Sequence, residues 1–206
     1  MRFRLKPYLD LCRISNLPTV WTNVLTAVML SASGVSWPDF VILLLSMSLF
    51  YSGGMCLNDI FDSTVDRIKK PGRPIPSGRI TKNSAFRFSI VLFATGIIIS
   101  YFIGSDHIPF FIAVFNSFLL YFYASYLKRK AFVGNFSVSY LTGSTFLFGG
   151  AAYGGKGIQV TLILFFLSML ATFAREIVKT IEDIEGDRKD GATPLPLPKI
   201  IGMLRI

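Results

Sequence analysis

Six apolar stretches, at 17–35, 40–57, 85–104, 108–126, 132–153 and 158–173, leave this 206-residue chain little choice of architecture. Each approaches the ~20 residues that a helix needs to cross a hydrocarbon core. In lipid a segment must satisfy its own backbone N–H and C=O groups, so such stretches become helices rather than open strands or loops. The expectation is an all-α, polytopic membrane bundle of about six transmembrane helices, with residues 1–206 forming a single domain. Composition agrees, at 52% apolar and 16% charged with a mean hydropathy of +0.55, far from an average soluble domain. Arg87 stands close enough to the start of the third stretch to snorkel, and Thr19, Thr22 and Asn23 soften the limits of the first.

A net charge of +9 invites a nucleic-acid reading, which the distribution of that charge rejects. Of 21 Lys and Arg residues, Lys156 alone falls in the first, third or fifth inter-helix loop. The others lie in the N-terminal segment, around the second and fourth loops, or from the end of the sixth stretch onward. By the positive-inside rule that side is cytoplasmic, which puts the N-terminus there in an integral protein of the cell membrane. The alternation also supports the helix count, because a missed span would scramble it. Trp21 and Trp37 are placed to mark membrane interfaces. Cys12 and Cys56 have no metal-ligand spacing and read as packing residues. No small-residue cleavage site follows a compact apolar core, so the first stretch is expected to stay as a membrane helix.

Nine of the twelve acidic residues crowd into 59–66 and 176–190, just beyond the second and sixth stretches. On a helix Asn58, Asp62 and Asp66 fall at i, i+4 and i+8, and Asp183 and Asp187 repeat the spacing. Carboxylates about 6 Å apart repel by roughly 3 kcal/mol at an effective dielectric near 20. Something cationic must offset that cost. Arg73-Pro74-Ile75-Pro76-Ser77-Gly78-Arg79 has to leave the helix and holds two arginines on a stiff turn. A hard divalent ion such as Mg2+ takes one or two carboxylates plus phosphate oxygens, so two such clusters with cations between them suit Mg2+ and a diphosphate. Surface pairing, such as Lys179 with Asp183, accounts for one cluster alone but not for the recurrence. The fifth stretch is rich in Gly, Ser, Thr and Asn, which suits close helix packing, a polar cavity wall, or both. His107, the only histidine, lies with Asp106 in the third loop and lacks convergent ligands.

These residues resemble the UbiA superfamily of intramembrane prenyltransferases. Asn58-Asp59-x-x-Asp62-x-x-x-Asp66 with Arg73-Pro74-x-Pro76-Ser77-Gly78-Arg79 is similar to its first signature. Arg175-Glu176-x-x-Lys179-x-x-Glu182-Asp183-Ile184-Glu185-Gly186-Asp187 is similar to its second, in the style of digeranylgeranylglyceryl phosphate synthases. Tyr123 to Arg129 with Gly134-Asn135 resembles a third region. The resemblance implies a bundle of nine helices, of which this chain supplies about six, and hence a chain truncated at its C-terminus. It implies that Asn58, Asp62, Asp66, Asp183 and Asp187 hold Mg2+, with the four aspartates catalytic. Arg73, Lys128 and Lys179 would contact the diphosphate, and Asn23 and Tyr123 would face the acceptor or cavity. The implied partners are a polyprenyl diphosphate, an amphipathic or lipid-soluble acceptor and membrane lipid. The implied reaction passes the isoprenoid to a hydroxyl or aromatic acceptor in lipid, quinone or related biosynthesis, with geranylgeranylglyceryl phosphate among the acceptors. Three rivals were weighed. A CDP-alcohol phosphotransferase would need Asp-Gly-x-x-Ala-Arg, which is absent. A divalent-cation transporter would need acids within spans such as 85–104 and 108–126, which have none. An inactive fragment remains open.

Overall fold

The computed structural model describes residues 5–31 and 37–189, with side chains as far as 182 and except that of 131. It comprises α1 (Leu5–Cys12), α2 (Leu17–Ser31), α3 (Trp37–Lys69), α4 (Lys82–Ser100), α5 (Ile108–Ser125), α6 (Ala131–Ala151) and α7 (Gly154–Lys189). Single 3-10 turns at Ile14–Asn16 and Leu127–Arg129 complete it, and no strand occurs among the described residues. The six apolar stretches correspond one to one with α2–α7. Of these, α3, α4, α5 and the Gly154–Glu182 part of α7 are long and apolar enough to cross a bilayer. The other two fall short for different reasons: α2 has 15 residues, and α6 dilutes its 21 with Gly, Ser, Thr and Asn.

Two helices outrun their apolar stretches. At 1.5 Å per residue the 33 residues of α3 extend about 50 Å, well beyond a hydrocarbon core of about 30 Å. The surplus carries Asn58 to Lys69, so the first acidic cluster stands on an unbroken helical extension. The 36 residues of α7 place Glu176 to Asp187 on a similar one. After α3 the chain turns back through residues 70–81. Ile75 and Ile80 bury themselves in this loop, Gly78 takes φ +75°, and Thr81 caps α4 by accepting from Ser84 N at 3.2 Å.

The α1 helix has no counterpart among the stretches. Its Leu11 and Cys12 pack with Cys56, Leu57, Ile60, Ile75 and Ile80 at the end of α3, while Leu5 and Leu9 stay exposed. A second core, nearer the other end, gathers Val24, Val28, Leu43, Phe50, Ala113 and Phe148. Phe50 and Phe148 meet edge to face there at 5.9 Å. The α6–α7 hairpin depends on backbone contact. A Cβ on Gly157 would lie 2.1 Å from Gly150 O, and one on Gly143 2.7 Å from Phe165 O. Close packing is thus one use of the small residues of α6; the cavity described below is the other. Phe111, Phe115, Phe118 and Phe122 stay exposed along one side of α5, as a lipid-facing helix requires.

Candidate active site

The surplus turns of α3 bring three carboxylates against three cations from three different segments. Asp59, only 2% exposed, accepts at one oxygen from Arg13 Nη2 at 2.5 Å and from Arg73 Nη1 at 3.1 Å. The same Arg73 nitrogen also donates to Asp66 Oδ2, so one guanidinium bridges two carboxylates. Lys128 Nζ, from the turn after α5, reaches Asp62 Oδ2 at 2.5 Å. Buried carboxylates lose the hydration that steadies their charge, so cations at hydrogen-bond distance are the condition for keeping them ionised. Local structure supplies each cation. Arg13 follows α1 directly and takes a left-handed backbone (φ 49°). Arg73 opens the proline loop, whose Ser77 N donates to Arg73 O at 3.0 Å. Arg79 closes that loop onto Gly72 O and Asp10 instead of entering the acidic cluster.

The stripe of Asn58, Asp62 and Asp66 twists. Each i to i+4 step on a helix of 3.6 residues per turn drifts by about 40°, so over two steps Asp66 swings about 80° from Asn58. That leaves it close to the direction of Asp59, which explains why Arg73 holds both. Asn58 lines the cavity described below, while Asp62, held by Lys128, is 33% exposed. The side chains of Asp183 and Asp187 lie outside the described residues. Lys179, on the turn before them, is exposed. Tyr123 lies within electrostatic reach of both Asp62 and Glu176. Asn135 ties α6 to α7 by donating to Thr180 Oγ1 at 3.2 Å.

A cavity of about 300 Å3 opens between α2, α3, α5 and α6. Met47, Phe50, Leu120 and Phe148 make most of it apolar, while Asn23, Asn58, Asn116 and Tyr123 add polar groups. Asn23 and Tyr123, singled out from the sequence, both line it. Asn23 Nδ2 donates to Thr145 Oγ1 at 3.1 Å. Asn58, one turn before Asp62, joins the cavity to the acidic end. Among the described residues its Oδ1, buried, finds no hydrogen-bond partner. An unpaired carbonyl costs about 1–3 kcal/mol, and a hard cation is one group that would satisfy it. Asn58, Asp62 and Asp66 are oxygen donors of the type that suits Mg2+, with Asp62 held here by Lys128 and Asp66 by Arg73. Among the described residues, no three Asp, Glu, His or Cys side chains converge as a metal cluster.

Asp59 stands inside the first motif without an expected role, and Arg13 stands far from it, because neither sits at the i+4 spacing that singled out the others. Asn116 was legible, as a lone amide within the apolar stretch 108–126.

Comparison with known proteins follows the same lines. The profile of the UbiA prenyltransferase family matches residues 17–201. Digeranylgeranylglyceryl phosphate synthase of Methanococcoides burtonii is 46% identical over 202 residues, covering 94% of this chain and 71% of that protein. Its counterpart from Methanococcus aeolicus is 42% identical over 199 residues, covering 96% and 70%. A solved digeranylgeranylglyceryl phosphate synthase superposes with a TM-score of 0.82 at 41% identity, over 94% of this chain and 68% of that one. A UbiA homologue from Archaeoglobus fulgidus, solved with GPP and Mg2+, shares the fold at a TM-score of 0.66 and 18% identity, over 90% and 66%. The all-α bundle, its membrane-spanning helices and a family match across most of the chain agree: this is an integral membrane protein that belongs to the UbiA prenyltransferase family.

Proposed function

We propose that this chain transfers an isoprenoid group from an allylic polyprenyl diphosphate to an acceptor hydroxyl, in a Mg2+-dependent reaction at the acidic end of the cavity. The observation that carries the reading is the junction at Asn58 and Asp62, where a cluster of matched carboxylates and cations meets an apolar cavity. A prenyl diphosphate has that same division, an anionic head on an apolar tail. Arg73, Lys128 and Lys179 hold diphosphate oxygens through charge-assisted hydrogen bonds. Asn58, Asp62, Asp66, Asp183 and Asp187 would hold Mg2+, which supplies charge neutralisation to the departing diphosphate. The allylic C–O bond of the donor breaks with its electron pair leaving on the diphosphate, the acceptor oxygen forms the new bond to that carbon, and the hydroxyl proton passes to the departing diphosphate. Cations fixed before the reaction stabilise the charge that develops on the leaving group. Excluding water from the cavity keeps the allylic cation for the acceptor.

The relatives' name supports geranylgeranyl diphosphate as donor and geranylgeranylglyceryl phosphate as acceptor. The basic residues around the acidic ends support a cytoplasmic site. Sealed membrane vesicles of known orientation test both statements, with labelled geranylgeranyl diphosphate, Mg2+ and the acceptor supplied from one face only. Labelled diether product is expected only with donor on the cytoplasmic face, and Asp62→Ala is expected to lower its rate at least 100-fold (about 2.7 kcal/mol). Full turnover by Asp62→Ala, or by donor confined to the opposite face, contradicts the reading.

A further inference from the structure

Below the acidic end, the cavity carries a second set of polar groups that diphosphate and metal do not use. Asn116 on α5 donates through Nδ2 to Ser144 Oγ at 2.9 Å. Ser144 is 1% exposed and spends its own proton on Leu141 O at 2.8 Å, so it offers Asn116 only a lone pair. That fixes which way the amide points, since a reversed amide would set oxygen against oxygen. Thr145 treats Asn23 in the same manner, accepting at 3.1 Å while donating to Thr142 O at 2.8 Å. Two neighbouring residues of α6 thus pin amides on the helices to either side of it.

The pinning leaves a remainder. Among the described residues, Asn116 Oδ1 and Asn58 Oδ1 are buried without a hydrogen-bond partner, and the Asn58 oxygen is the one a metal would take. Helix packing accounts for the nitrogen of Asn116 but not for its oxygen. On α5, Leu120 stands between Asn116 and the acidic end, 3.3 Å from where a Cβ on Gly54 would lie, so Asn116 lies deeper in the cavity than Asn58.

A cavity that is otherwise apolar and offers unpaired carbonyl oxygens selects hydrogen-bond donors. It gains nothing from an isoprenoid tail. We infer that Asn116 forms the subsite that recognises the hydroxyl of the prenyl acceptor, an aliphatic alcohol on a lipid chain. This rests on the prenyl-transfer reading and deepens it. Asn116 is then a specificity-determining residue, fixing the acceptor hydroxyl through Oδ1 while Ser144 fixes the amide.

The test is equilibrium binding to the full 206-residue chain in lipid nanodiscs, with two probes. One is a geranylgeranylglyceryl phosphate with its free hydroxyl; the other is the same molecule with that hydroxyl replaced by hydrogen. The native chain is expected to prefer the hydroxyl probe about tenfold, equivalent to about 1.4 kcal/mol. Asn116→Leu is expected to bind both within twofold of each other. Ser144→Ala, which releases the amide without touching the ligand, is expected to retain an intermediate preference of about threefold, and it serves should Asn116→Leu fail to fold. An undiminished preference in Asn116→Leu or Ser144→Ala, or no preference in the native chain, overturns the subsite and leaves water as the partner of this oxygen. Failure of the native chain to bind either probe or geranylgeranyl diphosphate overturns the prenyl-transfer reading itself, and the subsite falls with it.

Discussion

Arg73 serves two carboxylates at once, Asp59 and Asp66, whereas Arg13 serves Asp59 alone. The distinction makes their removal unequal. Arg73→Ala strips the described cation from Asp66 and one of two from Asp59, and breaking such buried pairs costs about 3–5 kcal/mol. Arg13→Ala leaves Asp59 with Arg73 and costs about 1–3 kcal/mol, the range for hydrogen bonds to charged groups. Thermal unfolding in detergent should rank them in that order; equal losses would mean that Arg73 does not bridge. Asp59 also marks what the motif spacing conceals. Reading every fourth residue picks out Asn58, Asp62 and Asp66 but ignores the 40° drift per step that turns Asp66 toward Asp59. Position was legible at Asn58 and Asp62, which helical spacing sets one turn apart on the same extension of α3. It was illegible at Arg13, whose role depends on a left-handed turn after an eight-residue helix.

Among the elements, α3 and α7 bound the site because both continue as helices past their apolar stretches, and no proline or glycine interrupts either acidic extension as far as Gly186. Their apolar parts were plain from length and composition. The seamless run from membrane helix to acidic cluster followed from the i+4 spacing. The α1 helix was not legible, since eight residues carry too little periodicity to separate a helix from a basic tail. The small residues of α6 left packing and cavity wall both open, and the structure divides them by face. Gly143 and Gly150 turn to α7, while Thr142, Ser144 and Thr145 line the cavity. Two substitutions separate contact from mere composition. Gly157→Ala would thrust a methyl into the Gly150 carbonyl and is expected to cost about 1–3 kcal/mol or more. Gly155→Ala, with no atom within 4 Å of its new methyl, is expected to hold or raise stability by up to about 1 kcal/mol. Calorimetric or fluorescence melting in matched detergent compares the pair, and similar losses in both would contradict the close hairpin.

For the whole molecule, the alternation of charge along the chain supported the count of about six helices before any contact was known, because each loop must choose a side of the membrane. The depth of the cavity and its amide level were beyond that reasoning, which sees each span as a cylinder of apolar residues and not as a wall with a polar face. The central claim joins the two scales: the acidic end and the cavity together bind one prenyl diphosphate, with Mg2+ as the link. Equilibrium binding of labelled geranylgeranyl diphosphate, titrated with and without Mg2+, tests it most directly. Native protein should bind at least tenfold more tightly with Mg2+ than in chelator, and Asp62→Asn should lose most of that gain. Binding that ignores both Mg2+ and the Asp62 substitution would contradict the account.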